Sequence, residues 1–182
     1  MAKLGEPESL RTGKRVYLRR PQVGDAKEFL ELMGASRRLH RPWVQPPSDR
    51  KAFGIYVEHA WSVRSAGCFI CLREDHAIVG VANLTEIVRG LFQSAYLGFY
   101  GSTPYLGQGL MREGVGLVLR YAFQDLKLHR VEANVQPANS RSLALVEALG
   151  FRKEGYSPRY LKICGRWRDH ERWARLADHP RG

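Results

Sequence analysis

Tyr105-Leu106-Gly107-Gln108-Gly109-Leu110-Met111 is the stretch that decides how this chain is read. It stands between a strand-like run, Gln93 to Tyr100, and a segment over 107–124 in which Met111, Val115, Val118 and Ala122 recur at helical spacing. Two glycines in a strand-to-helix turn let the backbone approach a ligand closely. The N–H groups of the helix's first turn have no carbonyl partner, so they form a site for an anion such as a pyrophosphate. Glycines in such turns also serve simply as turn formers. The stretch lacks the spacing of the dinucleotide fingerprint and the Lys-Ser/Thr of a P-loop.

Upstream, Arg15-Val16-Tyr17-Leu18-Arg19-Arg20 alternates like a half-buried strand, and Pro21 ends it before a helical segment from about Asp25 to Gly34. The prolines of Arg41-Pro42-Trp43-Val44-Gln45-Pro46-Pro47 make a loop, after which Ser48 or Asp49 caps a second helix running to about Ser65. Gly67 to Arg73 and Ala77 to Leu84, separated by Glu74-Asp75-His76, form an antiparallel hairpin that Gln93 to Tyr100 continues. Downstream, Val131 to Val135 reads as a strand, 139–149 as a helix ending at Gly150, and 151–163 and 167–176 as a closing strand pair. The order is strand, two helices, three strands, helix, strand, helix, two strands, which is a mixed α/β sheet. Residues 1–12 read as a loose tail ahead of one domain over 13–178.

The 182 residues suit one domain. No stretch is apolar enough for a membrane helix, and the N-terminus lacks the apolar core of a secretory signal, so a cytoplasmic location is expected. Cys68, Cys71 and Cys164 are an odd set without an export signal, so reduced thiols are expected. Cys68-Phe69-Ile70-Cys71 has no second ligand pair nearby and reads as strand; no metal is expected. The net charge of +11 favours polyanionic ligands or surroundings without choosing among them.

About thirty residues after the glycine turn come His129-Arg130-Val131-Glu132-Ala133-Asn134-Val135, then Asn139-Ser140-Arg141-Ser142, then Leu149-Gly150-Phe151. Together with the turn this resembles the GNAT superfamily of N-acetyltransferases, whose pattern is strand, (Gln/Arg)-x-x-Gly-x-Gly/Ala turn, helix, strand, and an Asn opening a helix that ends in Gly-Phe. Tyr105 stands where the motif has Gln or Arg. Gly80-Val81-Ala82-Asn83, Val88-Arg89-Gly90 to Tyr96-Leu97-Gly98, and Lys153-Glu154-Gly155-Tyr156 to Gly165-Arg166-Trp167-Arg168-Asp169-His170 look like the RimJ branch of ribosomal-protein-alanine N-acetyltransferases. The resemblance spans roughly residues 14–176. It implies the GNAT fold: a mixed, mostly antiparallel central sheet with helices on both faces and a splayed central strand pair. It also implies acetyl-CoA as donor and a protein N-terminus as acceptor, on a small-subunit ribosomal protein. Its motifs specify the donor better than the acceptor, so a small amine, a lysine side chain, or a non-catalytic RNA- or ribosome-binding member remain open, as does monomer or homodimer.

The resemblance also implies roles. Backbone groups of Leu97, Gly98, Phe99 and Tyr100 hold pantetheine in the splay; Leu106, Gly107, Gln108, Gly109, Leu110 and Met111 cradle the pyrophosphate; and Asn139 bonds pantetheine, though an Asn there is also a helix cap. Attack by an amine on a thioester needs a base or water relay for the amine and an acid for the thiolate. Glu86, just past the strand 77–84, is the candidate base, against a solvated loop carboxylate. Many relatives carry the acid, a Tyr, seven residues after the Asn, where this chain has Val146. Ser142 matches a Ser of the ribosomal branch and becomes the candidate acid, with Tyr156 in reserve; their plain alternatives are a first-turn backbone bond and packing. His129 and His170 each abut Arg and read as structural. Arg159, Lys162, Arg166, Arg168, Arg172 and Arg175 offer a basic face to ribosomal RNA or an acidic target, or are ordinary solvated strand positions.

Overall fold

Val16–Arg19 (β2) is buried along its whole length, although its alternation predicts a half-buried strand. Both faces are covered: Val16 and Leu18 pack into a core with the helix after the glycine turn, Tyr17 into a second core with Phe29, Phe53 and Phe69. Arg19 tolerates burial because Asp25 receives its guanidinium in two parallel hydrogen bonds of 2.8 and 2.9 Å. The computed structural model describes residues 8–177. Within them Ser9–Thr12 (β1) pairs antiparallel with β2, so the expected loose tail gives way to an edge strand; residues 1–7 of that tail and residue 178 lie outside the described residues.

Ala26–Ala35 (α1) leads into a short turn of helix, Arg37–His40 (α2), and then Arg50–Ala60 (α3), whose N-cap Asp49 accepts from the Ala52 N–H at 2.8 Å. That helix stops at Ala60, five residues earlier than its pattern suggests. There Trp61–Ser62 (β3) turns back on Ser65–Leu72 (β4), and the Trp61 indole N–H donates to the Gly67 carbonyl at 2.6 Å. Ile78–Val88 (β5) and Ser94–Gly101 (β6) continue the meander; Leu110–Arg120 (α4), extended by a π-helical turn at Tyr121–Asp125, leads to Arg130–Val135 (β7). Ser140–Ala148 (α5), Arg152–Ile163 (β8) and Arg166–Leu176 (β9) finish the chain.

The sheet runs β1-β2-β4-β5-β6-β7-β9-β8, with β3 beside β4. Every pairing is antiparallel except β6 with β7, the pair that the α4 crossover joins. The mixed, mostly antiparallel sheet expected from the sequence is therefore present, with α4 over one face and α1 and α3 over the other.

Two tight contacts seat α4. A Cβ built on Gly114 would lie 2.4 Å from the Ile70 Cγ2 of β4, so the helix backbone rides directly on the sheet. One built on Gly80 would lie 2.5 Å from the Met111 Sδ. The helix is also tied to the β1–β2 turn: Glu113 Oε1 accepts from the Arg15 backbone N–H at 2.8 Å, in space that only a glycine at position 13 leaves open. Burial pushes the Glu113 carboxyl up, but hydrogen bonds from the Arg15 and Val16 backbone and the Arg15 guanidinium outweigh it and hold the group below its ordinary range.

Gly114→Ala tests the seating of α4. An exposed helix position would gain about 0.5–1 kcal/mol from this change; here overpacking against Ile70 should instead cost roughly 1–3 kcal/mol, measured by urea unfolding. Glu113→Gln should lower stability above pH about 4.3, the unfolded-state value. Because the folded carboxyl titrates lower, the difference from wild type should close as the pH falls through that folded value.

Candidate active site

β6 and β7 are hydrogen-bonded over Ser94, Ala95 and Tyr96 against Arg130, Val131 and Glu132, and there the pairing ends. Beyond it Leu97 to Gly101 pair only with β5, and Ala133 to Val135 only with β9. Two strand edges thus face each other across a widening wedge with their main-chain groups uncommitted on that side. A backbone edge needs partners, and an extended arm bearing amides fits it as an added strand does. Asn134 Oδ1 is buried with no hydrogen-bond partner, two residues past the last pairing on the β7 bank.

The glycine turn closes the wide end of the wedge. β6 ends at Gly101, the buried Ser102 hydroxyl donates to the Val79 carbonyl at 2.7 Å, and the Thr103 N–H donates to Ser36 Oγ at 2.9 Å. Gly107 and Gly109 then adopt φ of +72° and +74°, the second as the N-cap of α4. A Cβ on Gly107 would meet nothing within 4 Å, so glycine is needed there for the backbone and not for space. The Arg15 guanidinium donates to the Gln108 carbonyl at 2.8 Å and the Gln108 amide to the Pro104 carbonyl at 3.0 Å, which spends carbonyls and leaves first-turn N–H groups for an anion. Leu106, Gly107, Gln108 and Gly109 are exposed, whereas Leu110 is buried and Met111 packs over Gly80 and Gly101. Those last two residues offer main chain only.

Asn139 caps α5, its Oδ1 accepting from the Ser142 N–H at 3.2 Å; the amide's NH2 end is free of that bond, and the half-buried Ser142 hydroxyl sits on the first turn. Val146 is fully buried, so the position where many relatives carry a Tyr is core here. Glu86 departs from expectation in its setting: β5 continues to Val88 because Ile87 is buried, and Glu86 sits inside the strand on a bulge at φ +48°. Its carboxylate is ion-paired with Arg64 and 56% exposed, beside the closed end of the wedge. Tyr156 is exposed, and its hydroxyl donates to Asp169 Oδ2, a bond that raises its pKa. The structure thus joins Asn139 and Ser142 through the cap of α5 and leaves Glu86 and Tyr156 on the surface. His170 is buried with Nδ1 at 3.0 Å from the Arg168 carbonyl, the structural use expected of it.

The sequence reading missed Tyr160. β8 is not one regular strand: Ser157 pairs with His170 and Leu161 with Arg168, so β8 spends two residues more than β9 over that stretch. The bulge, with Arg159 at φ +47° and its N–H held by Asp169 at 2.7 Å, carries Tyr160 toward Tyr96 of β6. The neighbouring Tyr160 hydroxyl, with burial, pushes the Tyr96 phenol up to about 12. Pro158, inside an otherwise strand-like run, was the available signal.

Residues 15–152 match the model of the "Acetyltransferase (GNAT) domain" family. The chain is 44% identical over 172 residues to the [Ribosomal protein uS5]-alanine N-acetyltransferase of Escherichia coli, covering 90% of this chain and 89% of that protein. It is 35% identical over 167 residues to the probable N-acetyltransferase YjcK of Bacillus subtilis, covering 87% and 92%. Among solved structures, Mycobacterium smegmatis RimJ in complex with CoA-disulfide superposes with a TM-score of 0.79 at 28% identity, covering 90% of this chain and 82% of that one. The parted parallel strands, the left-handed glycine turn and these matches have one explanation: the chain belongs to the GNAT family of acetyltransferases.

Proposed function

We propose that this protein is a cytoplasmic enzyme that moves an acetyl group from acetyl-CoA to the N-terminal α-amine of a protein, a ribosomal protein of the small subunit. The observation that carries the donor assignment is the wedge between β6 and β7 opening onto the turn at Gly107 and Gly109. The acceptor assignment draws on the similarity to the uS5-alanine N-acetyltransferase, at 44% identity over nearly the whole of both chains. The exposed Lys162 and Arg166 of the β8–β9 hairpin, in a chain of net charge +11, suit a substrate that sits on a polyanion.

The residues fit the donor. The orphaned Asn134 Oδ1 and the open β6 edge lie where a pantetheine arm would need acceptors and donors, and the turn supplies main-chain N–H groups for a diphosphate. Bound acetyl-CoA supplies a thioester, an acyl donor open to attack by an amine. Main-chain groups of Leu97, Gly98, Phe99 and Tyr100 align the arm and polarise the acyl oxygen. Asn139, its Oδ1 spent on the helix cap, has its NH2 end left to donate to a pantetheine carbonyl. In the reaction the amine nitrogen bonds to the acyl carbon, the carbon–sulfur bond breaks, the amine gives up one proton and the thiolate takes one. Ser142, on the positive N-terminal end of α5, protonates the thiolate directly or through water. Glu86 is turned toward Arg64, so it takes the amine's proton only through a water relay. An α-amine has a pKa near 8 and is partly neutral at physiological pH, so a weak base is sufficient.

Incubation of ribosomal proteins with acetyl-CoA, followed by intact mass and peptide mapping, should show one acetyl group at an N-terminus. Acetylation confined to internal lysines, or to free small amines, would refute the acceptor assignment. Ser142→Ala should lower kcat by about a hundredfold or more with the KM for acetyl-CoA nearly unchanged. Glu86→Gln should lower it at least tenfold if the relay operates; a wild-type rate removes either residue from its role.

A further inference from the structure

Arg37 and Arg38 of α2 and Arg41, which caps its C-terminus, crowd the corner between α1 and α3. All three are exposed, and among the described residues none of their guanidiniums has an ion pair or a hydrogen bond. Arginines elsewhere in the protein are used: Asp25 holds Arg19, Glu86 holds Arg64, and Glu132 and Glu154 hold Arg130. Like charges four residues apart on a helix repel, and no carboxylate separates Arg37 from Arg41. The cluster costs the fold and answers to something outside it.

The three arginines line an open cleft of about 680 Å³ whose other walls are Gly34 and Ala35, so no acidic side chain faces it. That volume suits a ligand larger than a lone phosphate. The segment is also fixed in place. Ser36 accepts from the Thr103 N–H at 2.9 Å, and the buried His40 sets Nε2 at 2.8 Å from the Gly101 carbonyl with its ring edge-on to Tyr100. The cleft is therefore anchored to the end of β6, at the wide end of the wedge. It lies with α1 and Tyr100 on the face away from α4, so a diphosphate seated on the first turn of α4 is not what it holds.

Resting on the reading of the acceptor as a ribosomal protein, we propose that this cleft binds the phosphate backbone of an RNA strand, which the enzyme engages beside the wedge while it acetylates the protein. The choice of cation fits phosphate: a guanidinium grips two phosphate oxygens at once and stacks on bases, whereas an ammonium acts as a point charge, and all three cations here are arginine. A protein segment would bury apolar and aromatic side chains at the centre of its contact, and the walls of this cleft offer none. Contacts to phosphates position a strand without reading its sequence, so the cleft is indifferent to base order. Each phosphate neutralised releases counterions, which makes the binding steeply dependent on salt. The net charge of +11 adds long-range attraction to the same partner.

The test uses the full chain and a labelled oligouridine of about twenty nucleotides, with polyglutamate as the rival polyanion, followed by fluorescence anisotropy across a salt series. Replacing Arg37, Arg38 and Arg41 together by Ala should weaken RNA binding at least about tenfold near 0.1 M salt and flatten the log–log salt slope by about 2, three contacts at roughly 0.7 each. A control variant that removes the same charge from exposed positions elsewhere, Lys27→Ala with Arg120→Ala and Arg152→Ala, should lose no more than about threefold. In the corner variant the melting temperature should be retained and kcat/KM for a free acceptor peptide should stay within about twofold, since these side chains hold nothing in the fold. RNA binding unchanged in the corner variant, equal losses in the corner and control variants, or corner arginines needed for polyglutamate and not for RNA would each overturn the site. A wild-type enzyme that acetylates a ribosomal protein at its N-terminus and binds no RNA would also overturn it, with the acceptor reading intact. One that binds RNA through the corner and acetylates only free small amines would keep the cleft and refute that reading.

Discussion

The structure is organised around one break in backbone pairing. Past Tyr96 and Glu132 the two central strands part, and each keeps hydrogen bonds on its outer side only. Buried main-chain groups do not ordinarily go without partners, so the sheet is complete only with something extended between β6 and β7. The parting is open to both faces of the sheet. One side of it faces α4, whose first turn follows the glycines at 107 and 109; the other lies over Gly98 toward α1 and α3.

Holding the wedge open requires its outer parts to be rigid. α4 is pressed onto β4 at Gly114, pinned at Met111 over Gly80 and Gly101, and tied by Glu113 to the β1–β2 turn. The turn at Gly107 and Gly109 is thereby fixed relative to the β6 edge, as a ligand spanning both requires. On the far side the β8–β9 pair extends the sheet past β7, and its bulge folds Tyr160 back to β6.

Much of this was legible in the chain. The order of elements follows from periodicity and turn residues, and the left-handed glycines follow from the strand-to-helix turn they occupy. Asn139 announces itself as a cap by standing just ahead of a helical run. Other features left no local trace. β1 has one apolar residue, Leu10, among Ser9, Arg11 and Thr12, and is a strand only because β2 offers it an edge. Thr85-Glu86 looks like loop because it is polar, yet the buried Ile87 keeps β5 going past it. α3 ends at Ala60 because Trp61 reaches the Gly67 carbonyl, a contact that helical periodicity does not encode.

By itself the sequence determined the kind of protein: short-range patterns set each helix and strand, and the turn at Gly107 and Gly109 with Asn139 and Gly150-Phe151 carried the resemblance to the acetyltransferase family. Side-chain placement was decided by tertiary structure, because it depends on registers and bulges that bring together residues far apart in the chain. Tyr160 meets Tyr96 from sixty-four residues away through a bulge in β8, and Glu86 turns to Arg64 at a left-handed position.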